Sequence, residues 1–300
     1  MDKLTKQAFT LIELLVVIAI IGILSGMIVI SMGGVTDKAT VAKAQVFSNS
    51  LRNSMMADLI SEWKFDGLGI SDGGTATTAY IQDTWGTNHG TTITGTPLVY
   101  SGNKCISGSC LYFDGLSTIT GNSGNLIPSQ AAYTIEGWVN IPSTATGGAN
   151  RYLINLQTTT NLPGFSPCFS TAYKPLIYLN GSNYRYSNFD LRDNKWHHIA
   201  FIVTGSAITD INNSKTYVDG NLNPLSLLNS TVPLLPSGNF LIGGGSYIGY
   251  IDGIRIYDAA VSASQIQQQY YIGLNKLLND GKISSGDYQN RMGELTIAER

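Results

Sequence analysis

The chain has 300 residues, of which only 13% are charged, and its formal net charge is −2. No basic patch stands out along the sequence, which argues against a nucleic-acid-binding protein. The length allows one sizeable domain with its own core, in addition to smaller segments.

An apolar run from Phe9 to Ile30 carries one charge, Glu13. About 20 apolar residues in a helix cross the hydrocarbon core of a bilayer, so the run predicts a transmembrane helix. The preceding segment is basic through Lys3 and Lys6, which predicts a cytoplasmic N-terminus. A carboxylate in such a run costs on the order of 2–3 kcal/mol. Glu13 therefore needs an opposite charge, unless the run is a simple signal anchor that tolerates an interfacial acid.

The segment Ala8-Phe9-Thr10-Leu11-Ile12-Glu13 and the apolar residues after it resemble the N-terminal processing and methylation segment of type IV prepilins and of type II secretion pseudopilins. The resemblance implies that prepilin peptidase removes the leader, residues 1–8, by cutting between Ala8 and Phe9, and that the new amino group is methylated. Glu13 would then pair with the amino group of a neighbouring subunit. Ala8 departs from the family, which usually has glycine there, but it is small enough to allow cleavage.

Apolar residues continue beyond this run at three- and four-residue steps, which is the spacing of an amphipathic helix. They are Val41, Ala44, Phe47, Leu51, Met55 and Leu59. The sequence therefore predicts a helical stem over residues 9–60, transmembrane in its first half.

From Ser61 to Tyr257 the chain is rich in Gly, Ser, Thr, Asn and Tyr, with short β-branched and aromatic runs between turn signals. This pattern is typical of an all-β sandwich or jelly roll and not of alternating strands and helices. The predicted strands are Trp63–Phe65, Cys110–Phe113, Ala132–Ile141, Tyr152–Gln157, Leu176–Leu179, His197–Thr204, Lys215–Val218, Asn239–Gly243 and Tyr250–Tyr257.

Five segments resemble, in order, the strands of a LamG-like, concanavalin A-type jelly roll. They are Leu111–Gly115, Tyr133–Val139, Trp196–Ala200, Lys215–Gly220 and Ile251–Tyr257. The resemblance covers residues 62–270 and implies the fold, but a fold does not give the function. Domains of this family bind glycans or proteins, and some relatives are glycosidases.

Retaining glycosidases need two carboxyl groups about 5 Å apart. Acids two residues apart on a strand would share a face, but the sequence has no such run, and Glu136 stands among apolar neighbours. The adjacent residues His197 and His198 point to opposite faces of a strand, so they cannot share one metal. We expect one of them inside and the other on the surface. The sequence predicts a protein that is not an enzyme.

The stretch from Asp83 to Gly90 resembles the loop that follows the first strand of LamG-like domains, and Asp252 lies in the strand that this fold places beside the first. The resemblance implies one structural calcium ion, held by Asp83, Asp252 and Asn88 or a nearby carbonyl, since calcium takes oxygen ligands. In the alternative interpretation, Asp83 and Asn88 shape a turn, and Asp252 binds backbone groups at a strand end.

Three cysteines fit an exported protein. Cys105 and Cys110 flank the short loop Ile106-Ser107-Gly108-Ser109, and we expect them to form a disulfide. Cys168 is left over, either buried or free.

Exposed aromatic side chains are the candidate ligand-binding groups, because binding sites combine aromatic surfaces with a few polar groups. Trp85, Tyr184 and Tyr186 lie in loop-like surroundings. Trp138 and Trp196 lie within predicted strands and are expected in the core. An edge-strand or interface role is the alternative for Tyr184 and Tyr186.

The C-terminal region turns helical. Ser262 is the predicted N-cap of a helix that Asp280-Gly281 ends, and a second short helix follows Ser284. Residues 271–300 are therefore predicted to form a helical tail, which packs on the stem, contacts a neighbouring subunit or hangs loose.

These features predict an α+β chain: a long helical stem, a jelly-roll head and a short helical tail. The resemblances imply a type IV pilin-like subunit in the bacterial cytoplasmic membrane, assembled into an extracellular or periplasmic filament, with a head that binds a carbohydrate or a surface protein. Its partners would be other pilin subunits, the peptidase and methylase, and the assembly platform. The alternatives are a type II secretion pseudopilin or structural minor pilin without a ligand, and, as the weakest, a surface-tethered glycosidase.

Overall fold

The computed structural model describes residues 55–67, 71–123, 126, 132–146, 151–156, 166–170, 172–180, 183–203, 214–226 and 238–295. The chain divides into two compact units, Met1–Asn53 and Ser54–Arg300, and every described residue belongs to the second. The predicted leader, the apolar run and most of the stem lie outside the described residues. Within the described ranges, no helix is both long and apolar enough to cross a membrane.

The described residues form short strands followed by two helices. The strands are β1 (Leu59–Trp63), β2 (Gly74–Thr75), β3 (Gly90–Thr94), β4 (Leu98–Ser101), β5 (Ser109–Asp114), β6 (Thr118–Ser123), β7 (Tyr133–Asn140), β8 (Arg151–Tyr152), β9 (Ile154–Leu156), β10 (Ser166–Phe169), β11 (Pro175–Asn180), β12 (Asn183–Tyr186), β13 (Trp196–Val203), β14 (Lys215–Val218), β15 (Asn221–Asn223), β16 (Gly238–Gly243) and β17 (Ile248–Tyr257). The helices are α1 (Ala263–Asn279) and α2 (Ser285–Gly293), and 3₁₀ turns span Thr78–Tyr80 and Gly102–Lys104.

The strands form three antiparallel sheets. The largest has the order β15-β14-β13-β7-β17-β5-β4-β2, and β1 also pairs with β17. The long strand β17 pairs with β7 along one edge. Along its other edge, the first half of β17 pairs with β5 and the second half of β17 pairs with β1. Two four-stranded sheets, β3-β6-β16-β9 and β12-β11-β10-β8, meet where only Leu153 separates β8 from β9.

The main core lies between the large sheet and the two smaller ones, which makes the fold a β-sandwich. Its buried members include Leu111, Phe113, Ile135, Val139, Ile199, Phe201 and Ile251 from the large sheet and Ile119, Ile154, Phe240 and Ile242 from the β3-β6-β16-β9 sheet. Burial at about 25 cal/mol per Å² of apolar surface makes this core the main source of stability.

The two C-terminal helices cover the outer face of the large sheet. Helix α1 buries Ile266, Gln269, Tyr270, Gly273, Leu274 and Leu277, which recur at three- and four-residue steps. A Cβ at Gly273 would lie 2.1 Å from the Trp138 ring, so only glycine allows the helix to approach the sheet this closely. All residues of β13 are buried because the core covers one face and α1 covers the other.

The ends of α1 agree with the sequence prediction. Ser262 is its N-cap and forms a capping box with Gln265. The turn at Asp280 and Gly281 ends it, and Gly281 has a φ of 68°, a conformation that favours glycine. The helix continues across the predicted boundary at residue 270, so the tail begins inside α1.

The observed strands differ from the prediction mainly at the first strand and in the β8–β9 region. The predicted strand Trp63–Phe65 is wrong, because β1 runs from Leu59 to Trp63 and Phe65 adopts a φ of 59°, which extended strands do not use. Leu59 and Ile60 therefore belong to the head and not to the stem. The predicted strand Tyr152–Gln157 is split into β8 and β9, which belong to different sheets.

Candidate functional site

Asp83, a predicted calcium ligand, organises the turn that follows the first strand. Its Oδ1 accepts hydrogen bonds from the backbone N–H groups of Glu62 at 3.0 Å, Trp85 at 3.0 Å and Gly86 at 2.8 Å. Its Oδ2 accepts one from the N–H of Asn88 at 3.0 Å. The side chain of Asn88 donates to Ser61 Oγ at 2.7 Å. The carboxylate of Asp83 is therefore already satisfied by backbone donors, as in the turn-forming alternative.

Asp252, the third predicted calcium ligand, is buried beside the loop between Cys105 and Cys110, which a disulfide closes with the two Cα atoms 5.4 Å apart. Its Oδ2 accepts from the N–H groups of Ile106 at 2.9 Å and Ser107 at 3.2 Å. Burial raises the pKa of the Asp252 carboxyl to about 8, against the effect of the two N–H donors.

The three predicted calcium ligands thus belong to two hydrogen-bonded loops, with Asp83 and Asn88 in one and Asp252 in the other. Asp83 has little capacity left for a metal, because both of its carboxylate oxygens already accept hydrogen bonds. Asp252 differs: burial and the nearby Asp66 carboxylate both disfavour its charged form, so a bound cation would stabilise the Asp252 carboxylate. Throughout the described ranges, no three His, Cys, Asp or Glu side chains form a metal-binding group. Calcium binding stays a prediction.

The predicted ligand-binding aromatics lie in different parts of the fold. Trp85 follows the Asp83 turn and is 47% exposed. Tyr186 is the last residue of β12, pairs with Leu176 of β11 and is 36% exposed. Tyr184 lies two residues earlier in the same strand and pairs with Tyr178.

Both predicted core tryptophans are buried, but they lie beneath the C-terminal helices. Trp138 stacks on Tyr270 of α1 with ring centroids 5.9 Å apart. Trp196 belongs to the same cluster, together with Leu274 and Leu277. The tail therefore packs on the head, which is an arrangement outside the three that the sequence analysis offered.

His197 and His198 lie on opposite faces of β13, as strand alternation requires, but the expectation that one is on the surface is wrong because both are buried. His197 lies between two carboxylates, with Nδ1 2.7 Å from Asp219 Oδ2 and Nε2 3.0 Å from Asp193 Oδ1. His198 lies on the face of the large sheet that the helices cover, with its ring centroid 5.1 Å from that of Trp138. The expectation of one exposed histidine failed because it did not include the two helices that cover the outer face of the large sheet.

Glu136 is also bound within the fold. The Tyr257 hydroxyl donates to Glu136 Oε1 at 2.9 Å. The Arg255 guanidinium lies between two carboxylates, with Nη1 3.3 Å from Glu136 Oε1 and Nε 2.8 Å from Glu62 Oε1. Burial opposes the ionisation of Glu136, but the contacts to His198, Arg255 and Tyr257 outweigh it and lower its pKa. This buried network holds the strands β1, β7 and β17 together and does not form an open site.

A cleft of about 510 Å³ opens between one end of the large sheet and the C-terminal helices. The sandwich contributes Asn103, Lys104, Asn140, Asn194, Lys195, Trp196 and Tyr250. The helices and their connection contribute Leu277, Lys282, Ile283, Ser284, Asp287 and Arg291. The cleft thus combines aromatic and amide side chains with charged ones, which is the composition of many ligand-binding sites.

Trp196 joins the separate segments that line the cleft. Its indole Nε1 donates to the carbonyl of Lys104 at 3.2 Å, and its own carbonyl accepts from Arg291 Nη1 at 2.9 Å. Its ring lies 6.2 Å from that of Tyr250. Asn140 Nδ2 donates to the carbonyl of Asn194 at 3.2 Å, which links the end of β7 to the loop before β13. The cleft is therefore preformed.

Four cationic side chains and one carboxylate line the cleft, which gives its lining a net charge of +3 in a chain whose net charge is −2. Lys282 binds the carbonyls of Cys105 at 2.6 Å and Ile106 at 3.3 Å, and also Asp280 at 3.0 Å. Arg291 binds Asp287 at 3.1 Å. These two cations are engaged inside the fold.

The sequence analysis missed this cleft, because its residues come from separate segments whose contact depends on the fold. One signal was available: the pairs Asn103-Lys104 and Asn194-Lys195 each place an amide next to a cation, and the second directly precedes Trp196. The distance between these segments in the chain made the pairs look unrelated.

Comparison with known protein families gives two matches. A sequence profile of the prokaryotic N-terminal methylation motif matches residues 3–29. A profile of the concanavalin A-like lectin/glucanases superfamily matches residues 113–267. The chain is therefore the fusion that its sequence predicts. No curated protein matches the chain.

Several solved structures share the fold. Domain 4 of AbnA, a GH43 extracellular arabinanase from Geobacillus stearothermophilus in complex with arabinotriose, has a TM-score of 0.51 and 20% identity over 70% of this chain and 97% of that one. The binding domain of botulinum neurotoxin serotype D has a TM-score of 0.53 and 15% identity over 74% and 53% of the two chains. For botulinum neurotoxin type C, whose cell entry depends on interaction with two ganglioside molecules, the TM-score is 0.51 and the identity is 12% over 74% and 53%.

The chain spans about half the length of the toxin chains that it matches. At these identities the likeness shows the fold alone, whereas the superfamily profile covers more than half of this chain. The chain belongs to the concanavalin A-like lectin/glucanases superfamily and carries a prokaryotic N-terminal methylation motif.

Proposed function

We propose that this protein is a type IV pilin-like subunit whose lectin-like head binds a carbohydrate or a surface protein. One observation carries the proposal: the methylation motif over residues 3–29 and a lectin-like domain with an open, preformed cleft occur in one chain. In this proposal the chain is cut between Ala8 and Phe9, is methylated at Phe9, and leaves the cytoplasmic membrane for an extracellular or periplasmic filament.

Glu13 has the assembly role in this proposal. A carboxylate in an apolar helix is strongly unfavourable alone and tolerable when an opposite charge meets it. The positive charge would be the amino group of Phe9 in a neighbouring subunit, presented after cleavage by the peptidase. The partners are thus other pilin subunits, the processing enzymes and the assembly platform.

Processing is tested by producing the full chain in a bacterium with a type IV pilus system and measuring its N-terminus by mass spectrometry. We expect a mature chain that begins at methylated Phe9. A Glu13→Gln variant is expected to be absent from sheared filaments, and an Asp37→Asn variant, which also removes one acid, is expected to be present. Filaments that contain the Glu13→Gln chain at the normal level would exclude the assembly role.

The head has a binding role without catalysis. Support comes from its fold neighbours, one of which is a domain in complex with arabinotriose and another a toxin binding domain. The described residues that line the cleft include one carboxylate, Asp287, which is paired with Arg291, whereas glycoside hydrolysis needs two carboxyl groups. Trp85 after the Asp83 turn, and Tyr184 with Tyr186 on β12, remain proposed as further ligand contacts in two separate places.

Binding is tested on an array of glycans and surface proteins with the purified full chain in detergent micelles, in calcium and again in chelator. Saturable binding supports the proposal. Its loss in a variant of the exposed cleft residue Asn103, Asn103→Ala, would locate it to the cleft. Its loss in a Trp85→Ala or in a Tyr186→Ala variant would locate it to the Asp83 turn or to β12. Loss of binding in chelator that an Asp252→Asn variant reproduces would support the calcium ion. A folded chain that binds nothing would favour a structural subunit or a secretion pseudopilin.

A further inference from the structure

Lys104 and Lys195 differ from the other two cations of the cleft. Lys195 is 53% exposed, and its Nζ lies 4.0 Å from Asp287 Oδ1, beyond hydrogen-bond distance. Lys104 is exposed, and its Nζ lies 3.8 Å above the Tyr100 ring. Asp287 is itself bound to Arg291 at 3.1 Å. Both ammonium groups therefore retain donors for an anion that enters from solvent.

The fold brings these two lysines to one place. Trp196 directly follows Lys195, and its indole donates to the carbonyl of Lys104 at 3.2 Å. The loop before β13 and the turn before the disulfide loop therefore meet at Trp196. Because Asp280 and Asp287 pair with Lys282 and Arg291, the excess positive charge of the cleft comes from Lys104 and Lys195. Two cations in one cleft attract an anion more strongly than one lysine would on a flat surface.

The remaining polar groups suit hydroxyl groups. Asn103 presents a side-chain amide, which both donates and accepts. Asn140 donates one amide hydrogen to the carbonyl of Asn194, and Ser284 Oγ accepts from the N–H of Asp287, so Asn140 offers its Oδ1 and Ser284 its O–H. Trp196 and Tyr250 add aromatic surface beside them. A small inorganic anion would use the lysines alone, whereas a sugar that carries an acid would use the amides and the aromatic rings as well.

We propose that the cleft binds an acidic saccharide, with the carboxylate or sulfate of the sugar at Lys104 and Lys195 and its hydroxyl groups at the asparagine side chains. This inference rests on the proposed binding function and names the class of ligand. The wall that Lys282, Asp287 and Arg291 contribute lies beyond residue 267, where the superfamily match ends. The site therefore includes residues outside the segment that matches the superfamily.

The test is isothermal titration of the full chain in detergent micelles with four probes. They are tetragalacturonate, a sulfated heparin tetrasaccharide, neutral maltotetraose and inorganic sulfate. The variant is Lys104→Gln, Lys195→Gln. The matched control is Lys174→Gln, Lys215→Gln, which removes the same charge outside the cleft. Thermal unfolding of each chain confirms that these surface substitutions leave it folded.

We expect one of the acidic tetrasaccharides to bind, the cleft variant to lose at least tenfold in affinity, and the control to stay within twofold. Binding of maltotetraose by the wild type as tight as that of the acidic tetrasaccharides would overturn this inference and leave the carbohydrate-binding function standing. Binding of sulfate as tight as that of the saccharides, or equal losses in the two variants, would overturn it as well. Binding of none of the four probes by the folded chain would overturn the inference, and the protein array above would then decide the proposed function.

Discussion

At the scale of single residues, the buried side chain of His197 has a pKa that its neighbours change strongly. Burial disfavours its charged form, but the carboxylates of Asp219 and Asp193 outweigh burial and raise its pKa to about 9, from an ordinary value of 6.5. The charged imidazole is thus stabilised in the folded state and not in the unfolded state. The stabilisation is fully present below pH 6.5 and is lost as the pH rises through 9.

Changing His197 to Gln is therefore expected to reduce stability below pH 6.5 and to have little effect at pH 10. The raised pKa corresponds to on the order of 3 kcal/mol at low pH. The measurement is urea unfolding of the full chain in micelles at pH 6, 8 and 10. A wild-type stability that is no greater relative to the variant at pH 6 than at pH 10 would contradict the assignment.

Asp83 offers a second prediction for a single residue, because one carboxylate accepts four backbone N–H groups. Asp83→Ala leaves these donors without their acceptor, and unfolding should become easier by on the order of 3 kcal/mol. Asp190→Ala is the control, because Asp190 is exposed and binds the backbone and side chain of the nearby Arg192.

Chemical denaturation of the Asp83→Ala chain, run with and without a chelator, separates the two interpretations of Asp83. A loss of stability that is the same in both conditions supports the turn role. A loss seen only when calcium is present would favour a metal ligand.

Some individual residues could be assigned from the sequence and others could not. Ser262 was identifiable as an N-cap because capping depends on neighbouring residues only. The turn role of Asp83 was one of the sequence alternatives, because three of its four donors follow it within five residues. The partners of Asp252 were not identifiable, since Ile106 and Ser107 come from a distant part of the chain.

At the level of elements, helix α1 makes the outer face of the large sheet into a second core. Leu274 is fully buried there, whereas Ile272 of the same helix is 37% exposed. Leu274→Ala is expected to cost about 2–5 kcal/mol, and Ile272→Ala less than about 1 kcal/mol. Urea unfolding of the two variants measures both values. Equal costs would show that α1 is not packed on the sheet.

The strands that the sequence predicted well are those with apolar residues on both faces. For example, β7 and β13 were found to within one residue of their bounds at each end. Strands such as β3, β6 and β15 were missed because they consist largely of Gly, Thr and Asn, whose composition also fits turns. Their place is decided by pairing with distant strands, which a local pattern does not contain.

At the level of the whole molecule, the first strand of the head pairs with the last. Leu59 pairs with Tyr257 and Trp63 with Ile254. A head fragment that begins at Glu62 would lose three of the five residues of β1 and the buried side chains of Met55 and Leu59. We expect it to be less stable than a fragment that begins at Ser54 by on the order of 3 kcal/mol.

Thermal unfolding of these two fragments decides this prediction. Equal melting temperatures would show that the pairing of β1 with β17 contributes nothing to the stability of the head. A lower melting temperature for the shorter fragment would show that the folded head begins near residue 54, where the compact unit begins.

The pairing of β1 with β17 also has a mechanical consequence. A pull on the N-terminal segment reaches the sandwich first at Leu59, and β1 is secured there by β17 and by the contact between Glu62 and Arg255 at 2.8 Å. No residue of β1 lines the described cleft. A head that lengthens under load by releasing β1 would therefore lose none of the residues that line the cleft.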